Sequence, residues 1–493
     1  MSHNHLCLLP AVLQETDVSS MKMKSLISRL FSFFTIAHMS KNTELQGELP
    51  STGELYRKFL KVAWPSAIES FLICLVGVID TIMVSKLGEE AIAAVGITNQ
   101  PKFIVLAVIF SLNVGVTAVV ARRKGEEDRL SANRTLRVAI LVSLCSVLIV
   151  GAIAYIYAEP LLIFCGAEDV YLQDAITYFR IICIGLLFTA LNITINAAHR
   201  GAGYTKISMR TNIIANLVNV LFNFLLINGI WIFPRLEIRG AAIATALGGF
   251  ASCVISFCTL FSKKYYLNFF QKVDKFSFKA ILTPVFKVSS SAFVEQVFMR
   301  IGFLLYAIMV AKLGTTQYAT HLVCMNISTL SFSFGDGFAV AASALVGQNL
   351  GAKRPDLSKL YGKTGQRIAF IASTILFIVF IVLRHPIIGL FSDEAAVIAL
   401  GGNVMLLLAA STHFQTSQIV LNGCLRGAGD TKFVAAASLI SIAIVRPILT
   451  WILCFPVGLG LYGAWLSLFF DHAFRFVSAF IRFNNNKWVK IKL

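Results

Sequence analysis

The sequence predicts an all-α integral membrane protein in which twelve transmembrane helices form two parallel six-helix repeats. Three observations carry this reading. The composition is too apolar for a water-soluble chain, apolar runs of spanning length recur after residue 60, and the second half repeats the first at an offset of 226 residues. Hydrophobic residues make up 57% of the 493 and charged residues 14%, with a mean hydropathy of +0.76, far from the balance of a soluble domain.

An apolar run of about 20 residues is long enough, as a helix, to cross roughly 30 Å of hydrocarbon. In the first half such runs lie near 62–84, 91–120, 136–158, 171–197, 207–231 and 240–262. In the second half they lie near 281–311, 317–346, 366–388, 396–422, 433–456 and 461–483. The formal charge of +18 belongs to loop asymmetry rather than to nucleic-acid binding. With the N-terminus inside, 34 Lys and Arg fall on the cytoplasmic side, and only Lys86, Arg235, Arg239, Lys312 and Arg384 fall outside. This bias predicts cytoplasmic termini in a cell membrane, plasma or inner. The ten cysteines show no metal-ligand spacing and read as small apolar residues.

The repeat is gapless over long stretches. "IMVSKLG" at 82–88 falls on "IMVAKLG" at 308–314, Glu69 on Glu295, Gly125 on Gly351, and Asn196 on Asn422. Two heptapeptides, "RGAGYTK" from Arg200 and "RGAGDTK" from Arg426, close the fourth span of each half. Their glycines, Gly201, Gly203, Gly427 and Gly429, allow a tight reversal, and their Arg and Lys hold the turn in the headgroup region. Six spans per half make the repeats parallel, related by an axis along the membrane normal. The expected organisation is a mobile cytoplasmic tail over 1–54, an N-lobe over 55–262, a basic cytoplasmic linker over 263–280 and a C-lobe over 281–493.

Paired "N-x3-RGAG-x-TK" turns, "ID" with "TIMVSKLG", "FVEQ" and "AASALVGQNLGAKRPD" together resemble the multidrug and toxic compound extrusion (MATE) transporters over about residues 55–490. The resemblance implies a V-shaped bundle that exports drug-like organic cations or amphipathic small molecules in exchange for H+ or Na+. It also implies a monomer embedded in the lipid bilayer, with no cofactor and no metal beyond transient Na+.

Ionised acids inside a span cost about 2.5–3.5 kcal/mol on insertion scales, so each needs a partner or a purpose. Five stand out: Glu69, Asp80, Glu295, Asp336 and Asp471. Asp80 follows Glu69 by eleven residues, which returns it to within about 20° of the same helical face, so both acids look into one cavity. The resemblance assigns cation coupling to Asp80 with Asn219 and Asn223, although 223 is an amide where the family pattern has an acid. It assigns a second coupling role to Glu295, which no same-helix pair with Arg300 explains, since five residues turn 140°. Asp336, between glycines, serves coupling or close packing. Gln415 stands where the family often carries an acid. Asp471 and Arg475 form an i, i+4 pair, and Arg446 has no partner legible in the sequence.

"YGKTG" at 361–365 lacks the glycine that a phosphate loop needs at position 357, which is Leu357. HExxH, CxxC and GxSxG are absent. The chain therefore reads as a secondary transporter and not an enzyme. A flippase for lipid-linked saccharides and, more remotely, a membrane-embedded enzyme or scaffold stand as alternative readings.

Overall fold

The computed structural model describes residues 32–41, 44–271 and 277–491. Among these residues, twelve helices have the length and composition to span a membrane. In the first half they are α1 Thr52–Ser85, α2 Glu89–Gly125, α3 Arg129–Ile156, α4 Asp169–Gly201, α5 Thr205–Asn228 and α6 Glu237–Leu260. In the second they are α7 Phe278–Ala311, α8 Thr315–Gly351, α9 Pro355–Val382, α10 Ala395–Ala428, α11 Thr431–Cys454 and α12 Gly460–Asn484. Each of the twelve apolar runs falls on one of these helices. Most of the helices are longer than the runs because backbone bonding continues until a cap stops it, and not merely to the edge of the hydrocarbon. Thus α9 starts eleven residues before its apolar run, and α1 starts at a capping box in which Ser51 and Glu54 bond each other's backbone N–H at 2.9 and 3.3 Å.

Proline leaves one local mark. Pro447 has no N–H to donate, and the turns before it, Leu439–Val445, adopt π-helical bonding inside α11.

The lobes α1–α6 and α7–α12 meet mainly through small residues, which let backbones approach where lipid supplies no hydrophobic drive. Gly337 of α8 lies on Ala67 of α1, and Gly115 of α2 lies on Val285 and Ser289 of α7. At the basic end the contact is reciprocal. Gly125 abuts Gln348 and Ala352, while Gly351 abuts Arg122 and Glu126, each pair being the repeat image of the other. The turns beyond are also matched, with Glu127 and Lys353 both left-handed at φ 58° and 56°. The inter-lobe contacts gather toward this end, and the lobes diverge from it as a V with a cavity between them.

Both chain ends reinforce the closed end. Met39 is fully buried and Lys363 of α9 donates to its carbonyl at 2.6 Å, while Gln46 N–H reaches Asp356 at 3.2 Å. Opposite, Arg122 donates to the Ile491 carbonyl at 2.6 Å, and buried Trp488 stacks on Phe483. Met39 and Gln46, grouped by the sequence reading with a mobile tail, thus bond to α9 of the C-lobe, with the apolar Met39 as the buried anchor. Residues 1–31 of that tail, and 272–276 of the basic linker, lie outside the described residues.

Candidate functional site

Helices α1 and α5 run parallel, and their register sets the site. Asn212 donates to Glu69 at 2.6 Å, and Asn223 donates to Asp80 at 2.7 Å. Both pairs are 143 residues apart, so one helix lies beside the other without slippage for eleven residues, about 16 Å. Along α5, Asn212, Asn216, Asn219 and Asn223 follow at spacings of four, three and four, a polar stripe on one face. Asn223 also donates to Asn219 at 3.4 Å, and Asn219 donates to Thr245 of α6 at 3.2 Å. The Asn223 side-chain oxygen is buried with no partner.

The inner acids are ion-paired by the arginines of the two heptapeptides. Arg200 meets Glu69 at 3.3 Å and Arg426 meets Glu295 at 2.7 Å, each pair 131 residues apart. Ser208 adds a bond to Glu69 at 2.7 Å, and Ser438, the repeat image of Asn212, adds one to Glu295 at 3.0 Å. The acids are buried, while the arginine side chains keep 19% and 28% exposure. That exposure matters because both guanidinium groups help to line the central cavity.

The cavity, about 650 Å³, lies between the lobes. Its charged lining is Glu69, Asp80 and Asp336 against Arg200 and Arg426. Symmetry fails at the outer acid: Asp80 corresponds to Tyr306, whose hydroxyl donates to the Ala464 carbonyl at 3.1 Å. Asp336 in turn corresponds to Phe110, which lines the cavity opposite it. Each lobe therefore gives the cavity one acid that the other lacks. Asp336 accepts from Ser70 of α1 at 3.2 Å. Among the described residues Asp80 has no cation within ion-pair distance; Lys102 of α2 acts on it from farther away.

A family model, MatE, matches residues 65–225 and 291–452, two segments whose starts are 226 residues apart. The chain belongs to the MATE family. The transporter YisQ of Bacillus subtilis is 26% identical over 91% of this chain and 98% of its own. A probable multidrug resistance protein, NorM of Thermotoga maritima, is 25% identical over 91% and 96%. Among solved structures, a Vibrio cholerae MATE transporter superposes with a TM-score of 0.82 at 15% identity, covering 89% of this chain and 99% of that one. A Pyrococcus furiosus transporter of the MOP superfamily gives 0.81 at 19% identity, covering 89% and 97%. The protein is thus a multi-pass membrane efflux transporter of an ion-coupled family, not an enzyme.

In this MATE transporter the sequence-derived residues separate into three places. Asp80, Asn219 and Asn223 form one cluster on the cavity wall, with Glu69 three turns below. Glu295 lies behind the wall and reaches the cavity through Arg426. Gln415 stands apart, bonded to Ser331 at 3.3 Å and Ser328 at 3.4 Å inside the C-lobe.

Two expectations about the heptapeptides need correction. Arg200 and Arg426 turn inward to the acids instead of staying among headgroups, because a buried carboxylate binds a guanidinium more tightly than water does. Only Gly203 and Gly429 make the reversal, at φ 86° and 89°. Gly201 and Gly427 remain helical, and their missing side chains let α4 cross α2 at Thr117 and α10 cross α8 at Ser343. Arg446 finds its partner in Asp471, which also takes Arg475 at 2.6 Å and Ser441 at 2.6 Å, a buried cluster of four away from the cavity.

The sequence reading missed Asn212, Asn216, Asn192 and Lys102. Asn192 extends the polar network from Asn212, to which it donates at 3.3 Å. The 4-3-4 spacing of the α5 asparagines was the legible signal. The basic residue after Pro101 in an apolar run was the other.

Proposed function

We propose that this MATE transporter exports cationic or amphipathic drug-like molecules by alternating access, drawing an inward H+ or Na+ through Asp80. The observation that carries this is the contrast among the span-interior acids. Glu69, Glu295 and Asp471 are each within ion-pair distance of an arginine, whereas Asp80 and Asp336 sit on the cavity wall with no ion pair among the described residues, and of these two Asp80 is the one held by an α5 amide, Asn223. A carboxylate with no cation in ion-pair contact in low dielectric attracts whichever cation enters, so a coupling ion and a drug cation compete for it. That competition is what exchange requires.

Asn219 and Asn223 supply neutral oxygen and N–H groups that orient the carboxylate and leave its charge intact. Glu295 and Glu69, each held by an arginine of its own lobe, serve a second role in linking the turn at the basic end to the cavity. Asp336 supplies a second negative charge to the drug path. In this reading the lobes are residues 55–262 and 281–493, both termini face the cytoplasm, and the drug leaves from the open end of the V.

Efflux of a fluorescent organic cation, followed in everted vesicles under a Na+ or a pH gradient, tests the assignment. Asp80→Asn should lower export by at least roughly tenfold while the protein still folds, because an amide keeps the shape and loses the charge. Normal export by this variant under both gradients would remove Asp80 from the coupling.

A further inference from the structure

On the side of the C-lobe turned away from the cavity, α11 and α12 cross closely at one end, where Gly463 lies on the backbone of Leu453 and Cys454. Toward the basic end they diverge. The gap is a groove of about 390 Å³ lined by Ala436, Ala437, Ile440 and Phe474 and, at its basic end, by Asn485 and Lys487. Ile440, Phe474 and Ile481 are 45%, 39% and 53% exposed, so in a membrane this surface meets hydrocarbon. From Phe474 to Asn485 the groove runs eleven residues, about 16 Å, long enough for most of an acyl chain.

The end at Asn485 and Lys487 has a definite sign. Asp430 is neutralised by Arg482 at 2.7 and 3.2 Å, whose guanidinium also covers Phe433. Lys487 has no ion pair among the described residues, Lys490 follows it on the same short helical turn, and Lys432 precedes the lining residue Phe433. Basic groups at the end of an apolar groove between helices suit an anionic headgroup, and they disfavour the ammonium of a zwitterionic lipid.

We propose that the α11–α12 groove binds an anionic phospholipid, with an acyl chain over Ala436 and Phe474 and its phosphate at Lys487 and Asn485. The site is separate from the drug cavity, so the proposal does not depend on the transport reading. It touches the same helix that carries Ser438, the donor to Glu295.

Native mass spectrometry of the purified full chain, titrated with phosphatidylglycerol or phosphatidylcholine, tests this directly. Phosphatidylglycerol should bind the parent more tightly, and Lys487→Glu should weaken it by at least roughly fivefold, the effect of one basic residue near an anionic headgroup. Ala436→Phe fills the groove at an exposed position, so it should fold and still lose the bound lipid. Equal binding of both lipids by the parent, or unchanged phosphatidylglycerol binding in both variants, would overturn the proposal. Displacement of the lipid by inorganic phosphate alone would do so too, because it would mark an ion site without an acyl contribution.

Discussion

Glu295 and Arg426 show why a buried acid in a span is not by itself a coupling group. Their contact at 2.7 Å gives the carboxylate a permanent counter-charge, and Ser438 occupies a further lone pair. Glu295→Gln should therefore lower export at least roughly tenfold by leaving Arg426 uncompensated, a cost of about 3 kcal/mol, the low end for a half-removed buried pair because Arg426 still touches the cavity. The informative measurement is the double variant Glu295→Gln with Arg426→Gln, scored by export and thermal stability. Recovery of both identifies the pair as structural; recovery of stability without export assigns Glu295 a part in the ion cycle. Asp80 differs because removing its charge breaks no ion pair, its nearest acting cation, Lys102, lying beyond ion-pair distance, so its loss should appear mainly in coupling and less in stability.

At the scale of elements, the contact between the ends of α2 and α8 is governed by two glycines. A side chain at Gly351 would run into the Arg122 backbone, as one at Gly125 would run into Gln348. Gly351→Val should thus cost about 1–3 kcal/mol of lobe contact, as overpacking does, and shift the transporter away from the closed basic end. Spin-label distances across that end should lengthen in this variant. They should not change in Gly389→Val, where nothing lies within 4 Å of the added carbon. Equal distances in both would show that the glycine contact does not set the lobe equilibrium. The parallel register of α1 and α5 works at the same scale: because neither helix slips, one polar face places an amide against each of two acids.

The whole molecule raises questions of orientation and charge movement. In the proposed orientation, drawn from the Lys and Arg bias, the basic end lies inside. Single cysteines replacing Ala167 and Asp393 should then label from outside with an impermeant reagent, whereas those replacing Glu126 and Pro355 should not; the reverse pattern would invert the topology. Stoichiometry follows from counting acids. With Glu295 paired to Arg426, Glu69 paired to Arg200 and Tyr306 in the place of a second Asp80, Asp80 and Asp336 are the cavity-wall carboxylates outside any ion pair among the described residues; Asp336 shares the cavity with the charges of Arg200 and Arg426, so the single exchanged cation is assigned to Asp80 in this proposal. One inward H+ or Na+ for one outward monovalent drug moves no net charge. A second inward cation would add about 2.3 kcal/mol per 100 mV. Export from right-side-out proteoliposomes, clamped with K+ and valinomycin under a fixed ion gradient, should therefore ignore voltage. Strong acceleration by a negative interior would require a second coupling site.

The amino-acid sequence by itself determined the membrane class, the twelve spans, the repeat and the family, because each is written in local composition or in identity at a fixed offset. It also brought Glu69 and Asp80 to one face, since helical geometry converts an eleven-residue spacing directly into direction. The destination of the arginines in the two heptapeptides was decided only by tertiary structure. A guanidinium at a helix end can reach headgroups or a buried acid, and the choice depends on which helix lies beside it. Which α5 amide faces which α1 acid, the partner of Arg446, and the separation of Gln415 from the cavity are settled the same way, by interhelical register. Register is fixed by packing among small residues such as Gly125, Gly201 and Gly351, whose requirement for space becomes visible only when the opposing backbone is in place.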